Sequence, residues 1–222
     1  GIGTAVPHGS ITRDEAVDLA EHVSGGDGRQ TALLQRIHQR SGVSCRGSVL
    51  IADHANDGTF LERVPFYGGT NPSTGERMAE FQRHAAALAF EASAAALSES
   101  GVAVEAITHL ITVCCTGFEA PGVDLALIER LGLRADVART HVGFMGCHAA
   151  LNGLRVARAF AEADADAVVL ICCVELCSLH LQYGGDPEQV VANALFADGA
   201  AAVVASAQRP ISFPALVLET NG

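Results

Sequence analysis

Residues 107–115 read Ile107-Thr108-His109-Leu110-Ile111-Thr112-Val113-Cys114-Cys115, and residues 167–174 read Ala167-Val168-Val169-Leu170-Ile171-Cys172-Cys173-Val174. Both are near-continuous apolar runs rich in β-branched residues, the pattern of strands covered on two faces and not of strands with one wet side. Around them strands and helices alternate. Pro121 to Leu131 reads as helix, Arg139 to Phe144 as strand, Cys147 to Phe160 as helix, Pro187 to Leu195 as helix and Ala200 to Ala205 as strand. This alternation predicts an α/β fold with helices layered on both faces of a mainly parallel sheet.

Toward the N-terminus, Thr12 and Glu15 form a capping-box signature that opens a helix over Thr12 to His22, and a second helix is expected from Asp27 to Gln39. The Gly-, Pro-, Asp- and Asn-rich stretch from Ser44 to Pro72 reads as a long, mostly irregular excursion. Phe81, Ala85, Leu88, Ala92 and Ala96 then recur at helical spacing, predicting a helix from Glu76 to Ser98 closed by Gly101. The chain opens as the end of a strand, Gly1 to Thr4, and finishes on the strand-like Ala215 to Leu218 before Asn221 and Gly222. Both ends are therefore expected to be cuts through a longer protein.

Composition narrows the function. A chain of 222 residues with 49% hydrophobic and 18% charged residues is globular in character. All 14 basic residues are Arg, which removes lysine Schiff-base, pyridoxal and Walker-lysine chemistry from these residues. A net charge of -11 repels nucleic acid and anionic membranes. The longest apolar run, Ala167 to Val174, is far short of the roughly 20 residues that span a bilayer, and no basic segment leads into an apolar one at the start. The expectation is a cytoplasmic protein with no nucleic-acid partner and no membrane insertion. The seven cysteines contain no C-x-x-C pair. Those inside the apolar runs read as small hydrophobes, and His141, Cys147 and His148 lack recognisable ligand spacing, so no metal is expected.

The sharpest local feature is Gly143-Phe144-Met145-Gly146-Cys147-His148-Ala149-Ala150, where an apolar strand turns through glycine and a cysteine opens a helix. A helix N-terminus offers positive potential and free N–H groups, which favour a thiolate and can bind the oxyanion formed when it attacks a thioester. Ala149, Ala150, Gly153 and Ala157 make the following helix read as buried and central. On these residues alone, Cys147 is either a nucleophile or one more packed small side chain.

Four motifs in order carry a resemblance. Asn71-Pro72-Ser73-Thr74-Gly75-Glu76-Arg77-Met78, the stretch from Cys115-Thr116-Gly117 to Pro121-Gly122-Val123-Asp124, Gly146-Cys147, and Leu195-Phe196-Ala197-Asp198-Gly199-Ala200-Ala201 make the chain similar to the type III polyketide synthases, the chalcone synthase-like enzymes. The resemblance covers nearly all 222 residues. It implies the N-terminal, catalytic-cysteine half of a thiolase-like layered α/β fold, with the C-terminal half absent from this chain, and a homodimer. It also implies an acyltransferase that loads an acyl-CoA starter on cysteine and extends it by decarboxylative Claisen condensation with malonyl-CoA, using no cofactor beyond these thioesters.

Under that resemblance Cys147 matches the acyl-carrying nucleophile and Phe196 the gatekeeper phenylalanine, against whose apolar face the malonyl carboxylate leaves as carbon dioxide. Cys115, Thr116, Glu175, Cys177 and His180 match positions that line the elongation cavity. Cys115 and Cys177 stand where the plant enzymes carry threonine, which resembles the bacterial branch making alkylpyrones, alkylresorcinols or tetrahydroxynaphthalene. Arg36 and Arg40, four apart on one helix face, match basic residues that hold CoA phosphates. Ala120 falls where the family reaches across the dimer. The family's catalytic histidine and asparagine belong to the C-terminal half, and no histidine here replaces them. His148 is next to Cys147, but neighbouring helical positions point about 100 degrees apart. Three alternatives stay open: a ketoacyl synthase of the initiating type that takes malonyl from a carrier protein, a non-catalytic acyl-CoA-binding half, and a cysteine hydrolase.

Overall fold

A computed structural model describes residues 1–25, 31–51 and 60–207. In chain order the elements are β1 (Ile2–Ala5), β2 (Ser10–Thr12), α1 (Arg13–Ser24), α2 (Thr31–Arg40), β3 (Cys45–Gly47), α3 (Phe60–Arg63), α4 (Thr74–Ser100), β4 (His109–Cys114), α5 (Val123–Leu131), β5 (Ala138–Gly143), α6 (Ala149–Ala163), β6 (Val168–Leu176), α7 (Pro187–Leu195) and β7 (Asp198–Ser206). The main sheet has the order β1-β7-β6-β4-β5.

Two helix starts follow directly from side-chain chemistry. Thr12 and Glu15 close a capping box at α1, and Ser73 with Glu76 closes one at α4, so backbone N–H groups that a helix start leaves open are satisfied on the spot. The 27-residue α4 ends at Gly101, in the left-handed region that glycine tolerates.

The continuous apolar strands are covered on both faces, as expected. Leu110, Cys114, Leu170, Cys172 and Val174 face α4 with Phe81, Ala85, Ala89, Ala92 and Ala96. The intervening Ile111, Val113, Val169 and Ile171 face α6 with Ala149 and Ala157. Each fully buried Leu or Ile there contributes roughly 1.5–3 kcal/mol.

The parallel expectation holds for only half of the pairings. β4 pairs in parallel with β5 and β6, whereas β7 is antiparallel to both β6 and β1. The physical reason is where α7 goes. It packs on α1 and α2 in a peripheral layer, so the chain doubles back to β7 instead of crossing over the sheet. The 44–72 excursion is also less irregular than expected, since β3 forms a two-stranded antiparallel ribbon with β2 and short helical turns follow at 60–63 and 65–67. Of the expected second helix, residues 27–30 lie outside the described residues, as does the strand-like segment 215–218.

Candidate active site

The parallel strands β4, β5 and β6 end on one rim of the sheet, the edge at which open α/β sheets bind ligands. Every cavity and nucleophile candidate except the two arginines falls on this rim or beside it. Cys115 and Thr116 follow β4, Cys147 follows β5, and Glu175, Cys177 and His180 lie at and just past the end of β6.

Glu175 ties the first of these turns to β6. Its carboxylate accepts the backbone N–H of Cys115 at 2.9 Å, the N–H of Thr116 at 3.0 Å and the Thr116 hydroxyl at 2.6 Å. Thr116 Oγ1 in turn accepts the N–H of Leu176 at 2.8 Å, and Thr116 O lies 2.6 Å from His180 Nε2. A carbonyl only accepts, so His180 carries its proton on Nε2. Gly117 packs so closely on Phe81 of α4 that a Cβ there would fall 2.1 Å from the ring, so only glycine passes.

The β5 turn is built differently. Phe144 has φ 57 and Gly146 φ 70, and positive φ in a bulky residue is strain of the kind found at functional sites. Phe144 N–H donates to Cys114 O at 3.3 Å, and Cys115 Sγ donates to Gly146 O at 3.6 Å. Cys147 sits in a 3-10 turn, Gly146 to His148, one residue short of α6, which starts at Ala149 rather than at Cys147 as expected. Glycine at 146 tightens the turn before the α-helical ladder begins. Ala149, Gly153 and Ala157 of α6 are buried against the sheet, while Leu151 on its other face is 57% exposed.

The seven cysteines are all free, and the structure separates them. Burial, with Glu175 adding to it, pushes the thiols of Cys114 and Cys173 up to about 11. Burial also pushes Cys172 up to about 12, and Cys177 to about 12 with help from the nearby carboxylates of Asp198 and Glu175. These four stay protonated near neutral pH. Cys147 and Cys45 are exposed, and only Cys147 is on the rim. Among the described residues, no group of three or more His, Cys, Asp or Glu side chains converges as metal ligands would.

Phe196 caps the C-terminus of α7 and is 51% exposed. Two residues on, the buried Asp198 accepts the N–H and hydroxyl of Ser178, at 2.7 and 2.6 Å, and the N–H of Val49 at 2.8 Å. The turn that bears Phe196 is thus tied to the residue next to Cys177. Arg36 and Arg40 stand exposed on α2. Their helix packs on α1 and α7, so α7, ending at Phe196, is what connects them to the site.

Sequence reasoning missed two supporting residues. Arg77 is buried and donates through Nε to Pro72 O at 3.1 Å, through its terminal nitrogens to Asn71 Oδ1 at 2.6 Å, and to the carbonyls of Leu179 and Leu181. The Asn71-to-Met78 motif is therefore a bracket for the 179–181 segment beside His180. Tyr67 donates its hydroxyl to Ser178 O at 2.7 Å and accepts the N–H of Leu181 at 3.1 Å. Its phenol is pushed up to about 12, chiefly by burial. Arg77 was visible inside a motif, but nothing in the irregular stretch around Tyr67 marked it.

A mixed sheet covered on both faces, with a cysteine in the turn from a parallel strand to a helix, defines one half of a thiolase-like α/β fold. The comparisons agree and are more specific. The profile of the chalcone and stilbene synthases, N-terminal domain, matches residues 1–209, and the chain belongs to that family. It is 32% identical over 210 residues to the alpha-pyrone synthesis polyketide synthase-like Pks18 of Mycobacterium tuberculosis, covering 94% of this chain and 51% of the relative. It is 35% identical over 205 residues to the 1,3,6,8-tetrahydroxynaphthalene synthase of Streptomyces peucetius, covering 92% and 51%. Among solved structures, a polyketide synthase of the brown alga Ectocarpus siliculosus superposes with a TM-score of 0.84 at 32% identity, covering 96% of this chain and 57% of that one. The C-terminal type III polyketide synthase domain of the Dictyostelium hybrid Steely1 gives 0.82 at 30% identity, covering 95% and 56%. The chain spans about half the length of the curated relatives it matches.

Proposed function

We propose that this chain is the nucleophile-bearing part of a type III polyketide synthase and that Cys147 carries the growing acyl chain. One observation bears most of the weight: Cys147 alone is both exposed and on the rim of the sheet, while four of the other cysteines are held protonated by burial.

In the proposed cycle the Cys147 thiolate attacks the carbonyl of an acyl-CoA starter and expels the CoA thiolate. Malonyl-CoA then loses carbon dioxide, and the resulting enolate carbon attacks the acyl-Cys147 carbonyl, expelling Cys147 as thiolate and lengthening the chain by two carbons. Phe196, exposed at the end of α7, provides the apolar wall for decarboxylation. Cys115, Thr116, Glu175, Cys177 and His180 shape the cavity, with the Glu175 hydrogen bonds holding its β4 side rigid. Arg36 and Arg40 receive CoA phosphates. Both are exposed cations with no ion pair among the described residues.

The names of the relatives, alpha-pyrone synthesis and tetrahydroxynaphthalene synthase, support an aromatic or pyrone product. The catalytic histidine and asparagine would come from the family's C-terminal half. A homodimer is supported by the edge of β5, unpaired among the described residues, and by the exposed Phe118 and Phe144, whose ring centroids lie 6.3 Å apart. No helix among the described residues is long and apolar enough to cross a membrane, and a cytoplasmic location goes with CoA substrates.

Intact mass spectrometry of the full-length protein mixed with a graded set of acyl-CoA thioesters tests the reading. An adduct of acyl mass that disappears in Cys147→Ala is the expected result. No adduct from any thioester in folded protein, or an adduct that survives the substitution, overturns it. Turnover only with malonyl on a carrier protein would move the assignment to the ketoacyl synthase class.

A further inference from the structure

Beside Phe196, a small cavity lies between α1, the β2–β3 ribbon, the 178–181 segment that follows β6 and the turn that enters β7. Its wall is mostly apolar, with Ile11, Leu19 and Val64 among the lining residues, and Phe196 forms part of it. One charged group lines it, Arg46 of β3, which is 6% exposed.

The surroundings of Arg46 are unusual for a buried cation. One terminal nitrogen donates to Asn193 O at 3.3 Å, and its Nε has no partner. No carboxylate pairs with it among the described residues. Asp198, whose backbone carbonyl lies by Gly47 next to Arg46, has its carboxylate committed to Ser178 and Val49. The charged side chain acting most on Arg46 is another cation, Arg13, which worsens the imbalance. His38, also fully buried near Arg46, donates through Nδ1 to Leu34 O at 2.9 Å and leaves Nε2 unpartnered. A carbonyl only accepts, so that Nε2 is a bare acceptor and supplies no charge. A buried guanidinium with most of its donors unused is costly, and an anion is the group that relieves it.

We propose that this cavity binds a small carboxylate, with its oxygens on the Arg46 guanidinium and its hydrocarbon end against the apolar wall. The size follows from the free space. The water-accessible volume is about 30 Å³, and one water takes roughly 10–15 Å³ on that measure. Acetate or propionate fits, whereas a phosphate monoester or a long fatty acid does not. Because Phe196 forms part of the same wall, an occupant touches the residue proposed above as the apolar wall for decarboxylation.

The test is a titration of the intact protein with ¹³C-labelled acetate, read by nuclear magnetic resonance and by the shift in thermal midpoint. Acetamide of the same shape and sodium chloride at the same ionic strength are the controls. Acetate is expected to bind saturably and to raise the midpoint where acetamide and chloride do not. Arg46→Lys should weaken acetate about tenfold, the loss of one charge-assisted hydrogen bond. Ala16→Leu, which fills the cavity from α1 without touching Arg46, should abolish binding while leaving a cooperative transition. It keeps the test decisive if Arg46→Lys does not fold. Equal effects of acetate, acetamide and chloride overturn the proposal, as does undiminished acetate binding in the folded Ala16→Leu protein. Simple competition between acetate and coenzyme A would place the cavity within the thioester channel and also overturn it as a separate site.

Discussion

The two turns that bring Cys115 and Cys147 to the same rim are made in opposite ways. After β4, the backbone of Cys115 and Thr116 is fastened to β6 by Glu175, Thr116 and His180 through short hydrogen bonds. After β5, Phe144, Met145, Gly146, Cys147 and His148 are all exposed. There the turn is tied to β4 by one backbone bond from Phe144 and a weak sulfur contact from Cys115, and to α6 by the Ala149 N–H on Gly146 O and the Asn152 amide on the Met145 sulfur, while Phe144 and Gly146 take positive φ. A reactive group is accessible where the structure invests few contacts, and it is placed accurately because the neighbouring turn is over-determined.

The largest effect expected from disturbing this contrast is at the open turn. Cys147→Ala should lower condensation in the full-length enzyme by roughly a thousandfold or more, because a covalent step loses its nucleophile, while the thermal midpoint stays within a degree or two. Steady-state kinetics and a melting scan together check both halves of that statement.

At the fastened turn the balance reverses. Glu175→Ala leaves the N–H groups of Cys115 and Thr116 without their acceptor and should cost about 3 kcal/mol of stability, a midpoint lower by several degrees. If calorimetry shows no loss, the β4 turn is not held by Glu175 and the contrast collapses.

The cysteines allow a chemical version of the same comparison. Iodoacetamide at mildly alkaline pH should label the exposed Cys147 and Cys45 well before Cys114, Cys172, Cys173 and Cys177, a difference that peptide mass mapping reads and that denaturant should erase. The buried thiols also set a pH trend. Unfolded, they titrate near 9, whereas folded they keep their protons to about 11 or 12. Above pH 9 the unfolded chain therefore binds fewer protons than the folded one, and stability falls as pH rises through that window. Urea midpoints measured from pH 8 to 10.5 should drop steadily; a flat profile would place those thiols in water.

The smallest effect sharpens the role of the Asn71-to-Met78 bracket. Ser73→Ala removes the N-cap of α4 and should cost about 1 kcal/mol in an equilibrium melt with no change in acyl-CoA loading, since the cap stabilises the helix and touches no substrate. A change in loading without a change in stability would give the bracket a direct part in the chemistry.

Much of this contrast could be read from residue types. The runs 107–115 and 167–174 declare two-faced burial, and α4 turns a Phe and Ala stripe to the sheet at the expected spacing. The Gly146-Cys147 turn is visible as a break between a strand and a run of small residues. Other features depended on partners distant in sequence. Glu175 meets Cys115 and Thr116 about 60 positions away, Tyr67 meets Ser178 and Leu181 more than 100 away, and Arg77 reaches across a similar distance. Each of these polar residues reads as ordinary in its own window.

By itself the sequence determined the class of the fold, the helix start at Thr12, and the family, because periodicity, caps and motif order are local properties of the chain, whereas the Ser73 cap that starts α4 two residues before the expected Glu76 went unread. Tertiary structure alone decided that β7 runs antiparallel, that Cys147 precedes α6 instead of opening it, which cysteines are sealed, and that Arg46 is buried without a counter-ion among the described residues. These outcomes depend on which distant segments exclude water from a given side chain and supply its hydrogen bonds, and neither burial nor pairing across the sheet is a property of any single stretch of residues.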